Sequence, residues 1–571
     1  MNKLIWLIIL FGFLLRVLWL NQFPAGFTPD EASFGYDAYS LLKTGKDQWG
    51  RSFPLVLESF GDYKPPLYSY ILIPFVGVFG LEKWVIRLPN ALFGTASIYV
   101  TFLLVGQILK ISRKNKKTIT KIEKTLPFLS ALILAISPWH IMLSRGAFEA
   151  NLTTFFLPLG IYFFLKGQEF SFLNNKHLYS MFYFFGSAFV FGLNMFSYHS
   201  AKVITPLVVM ALLFLREKRS LSLTGFFSIF NKNKIFISAF SIFVLITFYT
   251  FTQGAGARVN DINVFKGALE EASKDRSQAV LLGLSENISR IFYSKYQIGL
   301  ERFIDRYVDY FSPQFFSTDG PAEATYGMIP GLGVLYVFEI IFLISFLVNL
   351  KKNLISKYIY LIIFWFLISP IPAALTSGPS YSANRAAIMM PSVQILIAMG
   401  ILSLKAGYSK FKNYAVFGLY GFMFLSYLFN YIYIAPFKWG DKMLEGNLEM
   451  AEFVSKNSDL YSEIVIDRRL SEPHIFIAFV QKTDPNYYQK QTKNWNYKKQ
   501  GLTWVDQMPS YNLGKYSFKN VHLNEYVENK SALLVGRPEF FSNTIEPLKV
   551  IKYPSGQDAI YIVDSKTINE N

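Results

Sequence analysis

The chain has 571 residues, of which 52% are hydrophobic, 18% aromatic and only 17% charged, against about 25% charged in an ordinary soluble protein. Its 57 phenylalanines fall in long apolar runs, which excludes a soluble globule and indicates an integral membrane protein. The net charge of +17 comes from basic residues set between apolar segments, the pattern of cytoplasmic loops rather than of a nucleic-acid-binding face, and the absence of cysteine excludes disulfides, thiolate metal sites and cysteine nucleophiles.

Residues 4–20 form the first apolar segment. One leading lysine and the following Asn21-Gln22-Phe23-Pro24, without a small-residue cleavage site, make it a retained span rather than a signal peptide. Further segments at 88–109, 126–143, 152–165, 178–196, 203–215, 235–251, 329–350, 358–375, 386–404 and 414–434 meet or approach the length of a span. With about 20 apolar residues needed to cross, the expectation is a polytopic α-helical membrane protein of about eleven transmembrane helices. Basic loops at 110–124, 216–234, 351–357 and 405–412 follow the second, sixth, eighth and tenth segments, so all fall on one side. The positive-inside rule puts that side and the N-terminus in the cytoplasm of a multi-pass cell-membrane protein. Loops 21–87, 144–151, 197–202, 252–328 and 376–385 then face outward, with everything after residue 435.

Residues 1–435 are thus expected to form a transmembrane domain with a first outer loop at 21–87, bearing juxtamembrane helices, and a large outer loop at 252–328. Beyond 436 charges rise and apolar runs shorten. A helix at 447–456 and strands at 463–466, 474–480, 532–535 and 559–563 predict an extracytoplasmic soluble α/β domain over 436–571.

The first outer loop concentrates the chemistry. Thr28-Pro29-Asp30-Glu31 matches a capping box, with proline at the first helical position and two acids in the first turn. The helix it opens, residues 29–43, is too polar to cross a membrane and is expected along the outer surface. Glu31 can serve the cap while Asp30 points away, and a carboxylate near a hydroxyl can act as general base. Asp37, seven residues on, shares the helix face with Asp30 and is a supporting or a solvated group. Farther along, Tyr63-Lys64-Pro65-Pro66 precedes an apolar run, 67–80, too short to cross; it reads as an interfacial or re-entrant helix. Lys64 at its start is either a phosphate site or a snorkelling lysine.

The order of these features resembles the GT-C superfamily of membrane glycosyltransferases. An acidic pair after span one, a long outer loop, Lys64-Pro65-Pro66-Leu67, then Arg87-Leu88-Pro89 are similar to the protein O-mannosyltransferase and lipid A aminoarabinose transferase group. The resemblance is strongest over residues 1 to 170. It implies transfer of a monosaccharide from a polyprenyl-phosphate carrier to a protein, lipid or glycan acceptor on the outer face, with inversion. It further implies Asp30 as catalytic base with Glu31 as its neighbour, and Lys64 at the carrier phosphate.

Other outer-boundary residues are candidates within that scheme. Arg145, Arg385, His199 and Lys202 could meet the donor phosphate, with snorkelling as the plain alternative for the cations. Ser144-Arg145 resembles the start of a mannosyltransferase loop in which an aspartate follows the arginine by five residues; here Glu149 follows by four, so an Arg145–Glu149 ion pair competes with a functional role. His140, Glu149 and Tyr63 are supporting candidates. Trp49, Tyr63 and Trp139 would form either a sugar-stacking surface or part of an aromatic belt. Asp30, Glu149 and a histidine could hold a divalent ion, although no tight ligand spacing points to one. The rival readings are a transporter or lipid flippase, which calls for ionisable groups in mid-span and repeated halves, and a non-catalytic scaffold presenting the C-terminal domain.

Overall fold

The computed structural model describes residues 2–112, 121–173, 176–217, 233–256, 263–353, 356–378, 381–404, 410–526, 531–542 and 545–568. The centres of the four basic loops used to orient the chain lie outside the described residues.

Each of the eleven apolar segments carries a helix, but few of these helices are long. Among the described residues five are long and apolar enough to cross a membrane: Lys83–Ser112, His177–Met195, Lys234–Gly254, Lys357–Ala374 and Tyr414–Trp439. A sixth arises if the bent pair Lys124–Ile136 and Pro138–Arg145, which meet at 57°, counts as one span. Helix length therefore does not establish the expected eleven. Segment 329–350 falls short because its glycine-rich start is held in turns and its helix Glu339–Val348 breaks at Asn349. Segment 386–404 spends its first residues in a 3-10 turn at Ala387–Met389 before the helix Ser392–Leu404.

The helices that frame the first loop are α1 (Asn2–Val17), α2 (Pro29–Thr44), α3 (Leu67–Phe79), α4 (Lys83–Ser112), α5 (Lys121–Ile136) and α6 (Pro138–Arg145). α3 is the short apolar helix expected after the double proline. The bend between α5 and α6 sits at Ser137-Pro138, where proline cannot continue the ladder and frees carbonyls of the preceding turn. Arg16, wholly buried near the end of α1, supplies the missing donors: Nη1 to Ala135 O (3.1 Å) and Nη2 to Leu134 O (3.3 Å). In an apolar surround an unpaired carbonyl costs several kcal/mol, so a buried arginine fork here is structural.

The first loop carries a short hairpin of β1 (Leu57–Glu58) and β2 (Tyr63–Lys64). The C-terminal region folds as a six-stranded mixed sheet of β3 (Glu463–Ile466), β4 (Ser510–Leu513), β5 (Tyr516–Lys519), β6 (Ala532–Gly536), β7 (Lys549–Lys552) and β8 (Asp558–Asp564), in the order β4-β5-β3-β6-β8-β7. β3 runs parallel to β5 and β6, and the other pairings are antiparallel. The two-residue period of a strand divides its side chains between two cores: Ile464 and Ile466 face one, Val465 the other. The first of these cores is continuous with the first loop, taking in Phe27, Phe34 and Tyr36 beside Phe476 and Ile477. Segment 474–480, expected as a strand, is part of the helix Pro473–Gln481; it packs against α2 and the helix Asn447–Lys456, with His474 on Tyr511 and Phe518 of the sheet, and residues 474–479 are buried throughout, so its continuous apolar run carries no strand period.

Candidate active site

The start of α2 separates the two neighbouring acids. Thr28 is the N-cap: its side chain accepts from Glu31 N, and Glu31 Oε2 accepts from Thr28 N, both at 3.1 Å. Glu31 is then sealed by Arg87 of α4, whose Nε and Nη2 meet its two oxygens at 2.8 and 3.0 Å, while Ala147 N donates at 3.0 Å. The rest of the Arg87 guanidinium donates to the carbonyls of Leu20, Pro24 and Gly26. Burial pushes the Glu31 carboxyl up, but the Arg87 charge and these hydrogen bonds outweigh it and hold the group below its ordinary range. Glu31 is a knot that ties α1's exit, α2, α4 and the loop after α6.

Asp30, one residue earlier on the helix, turns outward and remains 36% exposed. Its Oδ1 accepts from Lys64 Nζ at 2.5 Å. Lys64 ends a short hairpin, β1 (Leu57–Glu58) against β2 (Tyr63–Lys64), closed by a turn in which Ser59 N donates to Asp62 O at 2.9 Å. The lysine is buried, with Nζ 4.8 Å from the Phe34 ring centre and 5.6 Å from that of Phe60. Two aromatic faces and one carboxylate therefore fix an ammonium group beside Asp30.

Asp30 and Lys64 line one cleft with Asp62, Glu149, Tyr198, Ser382, Asn384 and Arg385, closed by Phe148 and Tyr326. Arg385 enters from the 383–386 turn, anchored by Nη1 donating to Thr376 Oγ1 (2.6 Å) and Ser377 O (3.1 Å). Glu149 opens the 3-10 turn Glu149–Leu152. Asp30, Lys64, Arg385 and Glu149, which lie far apart in sequence, thus meet at one site containing both acids and fixed cations.

No protein-family model matches the sequence, and no curated protein matches it. The backbone, in contrast, is similar to the crystal structure of ArnT from Cupriavidus metallidurans bound to undecaprenyl phosphate. The TM-score is 0.52 at 10% identity, over 98% of this chain and 97% of that one. The chain has a GT-C fold. The apo state of the same ArnT matches with a TM-score of 0.43 at 11% identity, over 100% of this chain and 98% of that one. The archaeal oligosaccharyltransferase AglB from Archaeoglobus fulgidus matches with 0.43 at 13% identity, over 80% and 58%.

Within this GT-C fold the remaining sequence-derived candidates fall outside the cleft lining. Arg145 is turned toward the end of α1: Nη1 donates to Leu15 O (2.6 Å) and Nη2 to the carbonyls of Leu18, Trp19 and Phe23. It closes a helix C-terminus instead of meeting the cleft, because α6 bends back into the bundle. His140 is wholly buried between Arg16 Nη2 (2.7 Å) and Thr154 Oγ1 (3.0 Å), neither interfacial nor in the cleft. His199 Nε2 lies 3.0 Å from Tyr63 O and so braces β2 just before Lys64. Lys202 stands 5.5 Å over the Phe251 ring. Asp37 is buried and receives Gln48 N (3.0 Å) and Nε2 (3.2 Å), holding the loop that leads to β1. Burial, then the nearby Asp47 charge, push its carboxyl well above the usual range.

Tyr63 Oη accepts from Lys498 of the C-terminal region (2.7 Å). Trp139 is wholly buried with Nε1 donating to Ala383 O, so it belongs to neither an aromatic belt nor a sugar platform. Among the described residues no three His, Asp or Glu converge on a common point as metal ligands. Asp30 and Glu149 share the cleft, but the two histidines at the expected boundaries are committed as described. Asp62, Tyr198, Tyr326 and Asn384 were missed by sequence reasoning; each sits in a turn or loop, where no periodic pattern announces a side chain's direction.

Proposed function

We propose that the protein is an integral membrane glycosyltransferase. In this reading it moves a monosaccharide from a polyprenyl-phosphate carrier to a hydroxyl of a protein, lipid or glycan acceptor on the extracytoplasmic face. The observation that carries the reading is the single cleft lined by Asp30, Lys64 and Arg385 on a GT-C fold. The solved ArnT structure named above is a complex with undecaprenyl phosphate, which supports a carrier lipid of that class. The same reading takes all eleven apolar segments as membrane-embedded, with the N-terminus cytoplasmic and both the first loop and the C-terminal sheet outside.

The residues assign the steps. Lysine Nζ has three N–H donors; one meets Asp30, and another can meet a phosphate oxygen of the carrier. Arg385 supplies a second cation in the same cleft. The phosphate so held brings the anomeric carbon beside Asp30. Asp30 takes the proton of the acceptor hydroxyl, the acceptor oxygen forms the new bond to the anomeric carbon, and the bond from that carbon to the phosphate oxygen breaks. The electron pair leaves with the carrier phosphate, whose growing charge Lys64 and Arg385 offset. Attack opposite the leaving phosphate inverts the anomeric centre.

The test is Asp30→Asn in the purified full-length protein. Loss of a general base lowers kcat/KM by about 10²- to 10⁴-fold, while undecaprenyl phosphate still binds. A folded Asp30→Asn protein that transfers sugar at the wild-type rate would overturn the assignment.

A further inference from the structure

The hairpin that carries Lys64 is held by a ladder of only two residue pairs, Leu57↔Lys64 and Glu58↔Tyr63. An isolated hairpin is marginal in water even when longer, and a one-residue slip would send Lys64 to the opposite face. The C-terminal domain grips this hairpin through five residues. Lys498 Nζ lies 2.6 Å from Glu58 Oε1 and donates to Tyr63 Oη at 2.7 Å. One ammonium group thus joins both members of the cross-strand pair adjacent to Lys64. Tyr497 Oη donates to the same Glu58 oxygen at 2.5 Å. Val505 N donates to Phe60 O at 2.9 Å. Gly61, at φ +117°, packs so closely on the Thr503 carbonyl that a Cβ there would stand 2.1 Å from its oxygen. Phe60, in the turn between the strands, is at once one of the two rings facing Lys64 Nζ and the partner of the His474 edge at 5.4 Å.

We infer that Lys498 is a positioning residue for the donor-phosphate site: by tying Glu58 to Tyr63 it fixes the register of the hairpin and thereby the place of Lys64 Nζ. The inference rests on the proposed role of Lys64 and gives the C-terminal domain a part in carrier binding. Glu58 is 7% exposed, so its carboxylate needs a nearby cation. Arg51 stands off at 3.7 Å, leaving Lys498 as the close partner. Burial works against the Lys498 charge, but its hydrogen bonds to Glu58 and Tyr63 prevail and raise its pKa, which keeps the clamp charged at neutral pH.

The test measures undecaprenyl phosphate affinity, donor KM, kcat and thermal stability in full-length protein carrying Lys498→Met, Lys498→Arg, Tyr63→Phe or Lys64→Ala. Lys498→Met is expected to raise the Kd for undecaprenyl phosphate about tenfold, equivalent to about 1.4 kcal/mol, and to raise donor KM more than it lowers kcat. Lys498→Arg restores binding, since a guanidinium can reach the same two oxygens. Tyr63→Phe, which removes only one acceptor, weakens carrier binding in the same direction and keeps the inference testable if Lys498→Met does not fold. Wild-type affinity in Lys498→Met or Tyr63→Phe, together with lost affinity in Lys64→Ala, overturns the inference and leaves the donor-site reading standing. Wild-type affinity in Lys64→Ala overturns that reading itself. A fall in thermal stability with kcat and KM changed equally, and not rescued by arginine, marks Lys498 as merely structural and also overturns the inference.

Discussion

Replacing Glu31 by glutamine separates the two adjacent acids of α2 by stability rather than by catalysis. Both Glu31 and Arg87 have side chains only 1% exposed, and the fork contacts are 2.8 and 3.0 Å. At an effective dielectric of about 20, a pair of charges about 4 Å apart is worth about 4 kcal/mol. Removing one partner of such a buried pair costs about 3–5 kcal/mol, since the other is left charged without compensation. The amide that Glu31→Gln introduces also presents hydrogens where Glu31 accepts from Arg87, Thr28 or Ala147. Asp30→Asn, at a side chain 36% exposed, removes the charge opposite the buried Lys64 but keeps an amide oxygen that can accept from its Nζ, and is expected to cost less, about 1–2 kcal/mol. The assay is denaturant unfolding in one fixed detergent, followed by tryptophan fluorescence. Because the folded pKa of Glu31 is depressed, its contribution is present above the unfolded value of about 4.3 and is lost as pH falls through the folded value. Glu31→Gln should therefore lack that acid-side loss. A Glu31→Gln protein within about 1 kcal/mol of wild type, or an Asp30→Asn protein equally destabilised, would refute the division of labour.

Two further outcomes follow from the same geometry. Arg385→Ala should raise the KM for a carrier-linked donor about tenfold, as loss of a charge-assisted phosphate contact does, with acceptor KM little changed; equal effects on both would remove Arg385 from the phosphate site. Glu472, which opens the helix Pro473–Gln481, has its carboxyl pushed up to about 7 by burial, then by the charges of Asp506 and Asp30. A raised carboxyl contributes stability that is full below its unfolded value and is lost as pH rises through about 7. Glu472→Gln should accordingly gain melting temperature over wild type at pH 8 but not at pH 5; a pH-independent difference would contradict this environment.

Local signals carried far in this chain where one element answers to one rule. Thr28-Pro29-Asp30-Glu31 marked the start of α2, its cap and the outward turn of Asp30, because capping geometry is set within four residues. The double proline at 65–66 marked the boundary before α3, and the helix Asn447–Lys456 and strands β3, β6 and β8 followed from apolar spacing. Failures came where burial on all sides erases a period, as in His474–Phe479, which are buried throughout and helical. Others came where a helix breaks. The 57° bend before Pro138 carried Trp139, His140 and Arg145 away from the boundary positions that a straight span assigns them. Asp62 and Asn384 reach the cleft from turns set by distant contacts, which a single sequence does not encode locally.

Among the described residues three arginines are buried, Arg16, Arg87 and Arg145, and they tie distant parts of the chain together. Arg16 is seated by Leu134, Ala135 and His140, the last of them 124 positions later, and the carbonyls at the end of α1 are closed by Arg145, 130 positions from Leu15. Within α1 alone the Arg16 guanidinium has only the Gly12 carbonyl as partner, at 2.9 Å. Its seat is complete only with α5 and α6 in place, so α1 is locked into the bundle by residues more than a hundred positions away. Lysine, a single ammonium in place of a planar fork, does not reproduce these forked contacts at any of the three positions.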